Sequence, residues 1–407
     1  MRVTLRKTFL FLYLLLCLMF MALNLFGKIS PTNDETDSND YSTTTYKYMI
    51  LNFFKRAASH KRQLALFPED SQKTDRILEQ LLYVPDRLAW HPVKIYLPQG
   101  ANGVSLGVKE FQDQNCRVKN CFITTDRADA AVANVVFYRN SMSPMSERPP
   151  GQLWILQLLE NPEYTGALPH ANRAINYTAT YRWDSDLVTP YERWTPLADV
   201  PSDQRLLPSS PKLRRKSNYA AGKSKLVAWF VSHCQTSNNR LGFAKELSKH
   251  ISVDIYGSCS SQSCDRLSDT CWKRLDEDYK FYLAFENSNC QDYVTEKYFV
   301  NGLQYDVIPI VMGPPRTFYE KISPPHSFIH INDFKSPEEL ATYLHYLDKN
   351  DSAFNAYFAW KGSGQFINTK FWCRLCALVQ NPKPKVAENL DNWWKRSDIC
   401  NNAQTWT

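Results

Sequence analysis

Between residues 226 and 331 the chain repeats one pattern: a short apolar run, then a polar stretch long enough for a helix. The runs occupy residues 226–232, 253–256, 281–285, 307–312 and 328–331. Short continuous apolar runs that stop at polar turns mark strands buried on both faces. Burial on both faces goes with a parallel sheet covered by helices. The intervening stretches carry helix signals of their own. Residues 241–250 and 296–305 have helical period, and Ser336-Pro337-Glu338-Glu339 supplies an N-cap, a first-position proline and an acidic first turn. A less regular version of the pattern, with apolar runs at 93–97, 130–138 and 152–159, precedes it. The stretch between them, residues 196–225, is proline-rich and basic and reads as a linker. Two successive α/β domains predict a ligand cleft between them.

Only one apolar run, residues 9–26, is long enough to cross a bilayer, which excludes a polytopic membrane protein. Arg2, Arg6 and Lys7 precede it, and Asp34, Glu35, Asp37 and Asp40 follow. Positive-inside bias then places the N-terminus in the cytosol and the body beyond the membrane. A cleaved signal peptide is the alternative, but no small-x-small cleavage site follows the run. Hydrophobic residues make up 43% and charged residues 22%, which excludes wholesale disorder. The net charge of +7 is too mild to demand nucleic acid, though it tolerates an anionic substrate. Of 11 cysteines, all but Cys17 lie outside the apolar run, as suits an oxidising compartment. Asn176-Tyr-Thr178 and Asn350-Asp-Ser352 are N-glycan acceptor patterns of the same compartment. The resulting plan is a tail (1–8), a signal anchor (9–26), a stem (27–88), a first domain (89–200), a linker (201–224), a second domain (225–380) and an extension (381–407).

The richest chemistry lies in FYLAFENSNCQDYVTEK, which starts at Phe281. A strand ends there in polar residues, and a helix starts at Glu296 and Lys297. Ligands of open α/β sheets sit at the carboxyl ends of strands. A helix N-terminus at that place suits a phosphate. Lys297 adds a point charge, and Glu296 can accept hydrogen bonds from sugar hydroxyls. On spacing alone an acidic first turn beside a solvated lysine is the plainer reading. Glu160 closes the run at 152–159, as either a general base at a strand end or a surface glutamate. Asp184-Ser-Asp186 reads as a metal pair or as carboxylates that order their own loop. Cys373-x-x-Cys376 lacks a partner CxxC at zinc spacing and reads as structural disulfides.

These residues resemble the α1,3-fucosyltransferases, Golgi type II enzymes that use GDP-fucose. The resemblance is strongest over 281–313. It extends through Arg240, Val253-Asp-Ile-Tyr-Gly257, Cys373-Arg-Leu-Cys376, Leu158-Leu-Glu-Asn-Pro162 and Thr180-Tyr-Arg-Trp-Asp-Ser-Asp186, so that it covers about residues 90–380. It implies an α/β fold of two Rossmann-like domains facing a cleft, the GT-B arrangement, behind one transmembrane helix and a stem. It implies an inverting transfer with Glu160 as base, and Arg240 and Lys297 on the diphosphate. Asn287, Tyr293 and Glu296 would touch nucleotide or fucose, although Tyr293 reads equally as core. No cofactor is essential; a divalent cation, Mn2+ or Mg2+, would stimulate at most. The family's disulfide pattern pairs Cys373 and Cys376 with Cys116 and Cys121, against a local Cys116–Cys121 loop. The remaining six cysteines stay unassigned. The stretches 176–182 and 189–194 are closer to invertebrate and plant enzymes that act on the innermost N-glycan GlcNAc than to Lewis-type enzymes. A Golgi glycan-binding protein without turnover is the non-enzymatic alternative.

Overall fold

The computed structural model describes residues 64–70, 74–143, 148–207, 210, 215–264 and 269–402. The tail, the expected anchor at 9–26 and most of the expected stem lie outside these residues. Among the described residues no helix is long and apolar enough to cross a membrane.

Two five-stranded parallel sheets organise the chain. The first contains β1 (Val93–Tyr96), β2 (Cys121–Thr124), β3 (Val135–Arg139), β4 (Leu153–Leu158) and β5 (Tyr177–Thr180), ordered β2-β1-β3-β4-β5. A short strand β6 (Trp194–Pro196) follows. The second sheet contains β7 (Lys225–Phe230), β8 (Val253–Tyr256), β9 (Tyr279–Phe285), β10 (Ile308–Met312) and β11 (Ile329–His330), ordered β11-β10-β9-β7-β8. Finally β12 (Gly364–Phe366) pairs antiparallel with β6, joining the end of one half to a stretch beyond the other.

β9 shows how the second half builds most of its own core. All seven of its residues are buried. Alternate side chains serve opposite faces. Phe281, Leu283 and Phe285 join Trp229, Phe243, Leu340 and Leu344 on one face. Tyr282 and Ala284 join Val311, Tyr298 and Tyr319 on the other. Ser336 caps the helix Pro337–Asp348 by accepting from the Glu339 amide, as its sequence predicts. The helix expected over 296–305 is different: it is regular only over Glu296–Tyr298 and widens to a π turn over Phe299–Leu303. Gly302 lies there against β10, where an added Cβ would stand 2.8 Å from the Pro309 Cβ.

The first sheet borrows its cover. Val135, Phe137 and Ile155 pack against Trp372, Leu375 and Cys376 of the helix Phe371–Val379. On the opposite face Val136, Tyr138, Trp154 and Leu156 meet Leu390 and Trp394 of the helix Leu390–Lys395. Residues 371–379, expected with the second domain, and residues 381–402, expected as an extension, therefore belong to the first half's core. The same holds for residues 64–70 and 74–88, expected as stem. Phe67 and Ile77 are buried, and Gln80 donates to the carbonyls of Leu66 and Asp186 at 2.6 and 2.8 Å. The expected linker is also partly core: Tyr219 and Ala220 pack into the second half, and the Tyr219 amide donates to Asn355 Oδ1 at 2.7 Å. The apolar run at 130–138 becomes strand only from Val135. Its alanine-rich start is a turn that follows the short helix Arg127–Asp129, which Asp126 caps.

Disulfides join Cys116 to Cys373 and Cys121 to Cys376, the pairing implied by the resemblance, and they fasten the borrowed helix to the first sheet. The other six described cysteines pair as Cys234–Cys259, Cys264–Cys271 and Cys290–Cys400.

Candidate functional site

β4 and β9 both end where the two halves meet. Glu160 lies two residues beyond β4 and is exposed. Its Oε1 accepts from the Tyr293 hydroxyl at 2.8 Å, from Asn161 N and Nδ2 at 3.0 and 2.8 Å, and from Asn287 Nδ2 at 3.4 Å. Among the described residues no donor reaches Oε2. One oxygen is thus held by donors from both halves, while the other is left to accept a proton. Burial drives the Tyr293 phenol far above its usual range, and the nearby carboxylates Glu286 and Glu160 add to this; the phenol therefore stays a donor. Asn161 Nδ2 also donates to Asn287 Oδ1 at 2.9 Å. Glu163 ties the halves again, accepting at Oε2 from Ser237 and Ser288 at 2.6 and 2.7 Å and at Oε1 from Asn402.

A charged cluster stands at the end of β9. Glu286 is fully buried and accepts from the Thr295 amide at 2.8 Å and from its hydroxyl at 2.9–3.0 Å. Lys297 Nζ lies 2.9 Å from Thr295 Oγ1, 3.2 Å from Glu286 and 3.3 Å from Glu296. Burial pushes the Glu286 carboxyl up, against the pull of Lys297. Burial also works against the Lys297 ammonium, but Glu286 and Glu296 together hold it above its usual range. For Glu296 burial is outweighed by Lys297 together with hydrogen bonds from the backbone and Thr295, and its carboxyl stays below the usual range. A partly exposed lysine kept cationic at strand ends can meet a phosphate.

Arg240 lies at the same strand ends. It is buried, with Nη1 on the Phe285 carbonyl at 2.7 Å and Nη2 on the His233 carbonyl at 2.9 Å, and its guanidinium carbon is 5.8 Å from the Trp229 ring centre. Among the described residues its Nε has no hydrogen-bond partner. In this arrangement it braces the ends of β7 and β9.

The structure brings Glu160, Asn287 and Tyr293 into one hydrogen-bonded group and sets Glu296 and Lys297 in a second. Sequence reasoning missed Asn161, Glu163 and Glu286. For Glu286 a signal existed: a carboxylate directly after a wholly apolar strand sits where ligands bind in such sheets. The Asp184-Ser-Asp186 pair is spent on protein partners. Asp184 accepts from Arg182 Nε at 3.0 Å and Trp393 Nε1 at 2.9 Å; Asp186 accepts from Lys385 at 2.6 Å and the Thr178 amide at 2.8 Å. Among the described residues no group of His, Cys, Asp or Glu is arranged to hold a metal. The Asn176 amide is engaged at both ends, taking the Trp154 amide at 2.8 Å and donating to the Lys385 carbonyl at 2.8 Å. A glycan on its nitrogen would leave one N–H to keep that last bond. Asn350 caps the helix Asp351–Ala356 through its oxygen, and its nitrogen reaches only the exposed Tyr346 hydroxyl at 3.3 Å.

Comparison with known proteins identifies the family. Residues 88–192 match the family described as "Fucosyltransferase, N-terminal", and residues 220–393 match "Glycosyltransferase family 10 (fucosyltransferase) C-term". The chain is 41% identical over 369 residues to glycoprotein 3-alpha-L-fucosyltransferase A of Drosophila melanogaster, covering 87% of this chain and 71% of that one. It is 36% identical to alpha-(1,3)-fucosyltransferase C of the same organism, over 72% of this chain and 73% of the relative. Rat alpha-(1,3)-fucosyltransferase 7 is 33% identical, over 68% and 72%. A crystal structure of alpha1,3-fucosyltransferase with GDP-fucose superposes with a TM-score of 0.48 at 18% identity, covering 77% of this chain and 98% of that chain. With both family segments present in order and a relative matched over most of both lengths, the chain belongs to the α1,3-fucosyltransferases of glycosyltransferase family 10.

Proposed function

We propose that this enzyme moves L-fucose, with inversion, from GDP-β-L-fucose to O3 of the innermost GlcNAc of N-glycans. It does so as a type II protein of the Golgi membrane, anchored by residues 9–26. The observation that carries the mechanism is the Glu160 carboxylate, fixed at Oε1 by Tyr293 and Asn287 of the other half and open at Oε2. The acceptor O3 attacks the fucose C1 and passes its proton to Glu160 Oε2. The bond from C1 to the β-phosphate oxygen breaks, and GDP leaves with its new charge facing Lys297. Glu296 holds sugar hydroxyls, and Arg240 keeps the strand ends in register beneath the diphosphate. No step needs a metal, and Mn2+ or Mg2+ would act only by screening the diphosphate. The core acceptor is supported by the 41% identity to a relative named as a glycoprotein 3-alpha-L-fucosyltransferase.

The test is to incubate the full chain with GDP-fucose, with and without EDTA, and a panel of defined N-glycans, and to map each product by mass spectrometry. Fucose on the core GlcNAc, undiminished by EDTA, is expected. Fucose only on antenna N-acetyllactosamine would make the enzyme Lewis-type, and no transfer to any glycan would favour a binding protein.

A further inference from the structure

A second cleft, of about 510 Å³, lies between the halves away from the Glu160 carboxylate's own partners. Its first-half wall includes Trp183 and Arg193, and its second-half wall includes Gln291, Asp292 and Lys321. Six charged side chains line it. Asp75, Asp184 and Asp292 balance Arg76, Arg193 and Lys321, so the cleft offers no net charge to hold a phosphate or a nucleotide. Three polar ends around Trp183 are unspent. Asp292 Oδ2 takes the Trp183 amide at 2.9 Å, but among the described residues no donor reaches Oδ1. Neither the Gln291 side-chain amide nor the Lys321 ammonium has a hydrogen-bond partner among the described residues. Lys321 Nζ rests 4.1 Å from the centre of the half-buried Trp183 ring, and the Arg193 guanidinium carbon lies 5.5 Å from it. An acceptor, a mixed amide and a donor arrayed about an indole fit the alternating hydroxyls and C–H faces of a neutral saccharide.

We propose that this cleft binds a saccharide arm of the acceptor glycan, away from the GlcNAc that is fucosylated. The inference rests on the reading of the acceptor as a branched N-glycan. Asp292 directly precedes Tyr293, whose hydroxyl holds Glu160, so glycan seated on Trp183 is registered against the base through two adjacent residues. The cleft is then a subsite for acceptor choice, and its residues act on acceptor binding with no part in proton transfer.

The experiment uses the full-length enzyme, GDP-fucose and whichever N-glycan of the panel it fucosylates fastest. Trp183→Ala and, separately, Gln291→Ala are compared with the parent. Loss of the indole wall or of one neutral hydrogen bond predicts a KM for glycan about threefold to tenfold higher in each variant. The kcat and the GDP affinity should stay within about twofold, the spread that leaves ΔG nearly unchanged. Titrating the same glycan without donor, read by saturation-transfer NMR, should weaken in parallel. Gln291 is only partly buried and its side chain packs no core, so its variant keeps the test open if Trp183→Ala misfolds. Unchanged glycan KM in Gln291→Ala overturns the proposal, as does a KM change equal for glycan and for GDP-fucose. The ratio is read on any working acceptor. A Lewis-type product would therefore sink the core reading while leaving the cleft's own test intact.

Discussion

The first sheet runs β2-β1-β3-β4-β5, and the second, taken from its other edge, runs β8-β7-β9-β10-β11, the same order for successive parallel strands. What covers them differs. The second sheet is closed by helices that follow its own strands, Arg240–Leu247 and Pro337–Asp348 on one face and residues around Tyr298 and Tyr319 on the other. The first sheet draws residues 371–379 and 390–395 from the far side of the second. One topology can thus be completed locally or by a loan, and the loan is where two disulfides are placed. The polar groups divide along the same line, with the Glu160 carboxylate on the first half and the Glu286, Glu296 and Lys297 cluster on the second.

Four experiments would break or sharpen that contrast. The largest effect is expected for Glu160→Gln, which keeps shape but cannot take the acceptor's proton. Its kcat should fall by about 10²–10⁴-fold, while calorimetry finds GDP affinity unchanged. Joint loss of transfer and of GDP binding would mean that the halves do not divide the work. Next, removing the borrowed helix's bridges with Cys373→Ser and Cys376→Ser should cost about 2–5 kcal/mol for the first bridge lost. The second should add less, since the first already closes nearly the same loop. Hydrogen exchange should rise in β1–β5 with β7–β11 still protected, and equal loss in both sheets would refute local closure of the second. Lys297→Ala should weaken GDP binding about tenfold to a hundredfold, the cost of one charge-assisted contact. Unchanged affinity would move the phosphate site elsewhere.

The smallest effect is a pH dependence in the second half. Burial alone would raise the Asp306 carboxyl, but Lys361 and Lys216 hold it below the usual aspartate range. A depressed carboxyl stabilises the fold above its unfolded pKa, and that contribution is lost as pH falls below about 4. Asp306→Asn should therefore flatten the acid limb of the urea midpoint for β7–β11 and leave that of the first sheet alone.

The second half was legible because its signals are contiguous. Runs such as 281–285 and the Ser336 cap name their own structure. The first half was not, because the period of residues 371–379 says that one face is apolar but not which sheet it will cover. The charged sites show the same limit at smaller scale. Arg240 and Lys297 both stand at strand ends, yet only geometry shows that Arg240 is spent on the Phe285 and His233 carbonyls. Likewise the acceptor pattern at Asn176 cannot reveal that its amide already donates to Lys385. Glu160 stood out as a candidate because it ends an apolar run inside a family-like motif, whereas Glu163 and Asn161 stand in the turn beyond, where no periodicity singles them out.

The bridges from Cys116 and Cys121 span 257 and 255 residues. A ribosome adding about 5–20 residues per second delivers their partners roughly 10–50 s after the first two thiols emerge. Until then Cys116 and Cys121 are nearer in sequence to each other, and to Cys234, than to their eventual mates. The half that is made first must be finished last. Assembly accordingly runs against the direction of synthesis, and a chain that stops before residue 371 should leave its opening sheet uncovered even though every strand of that sheet has been made.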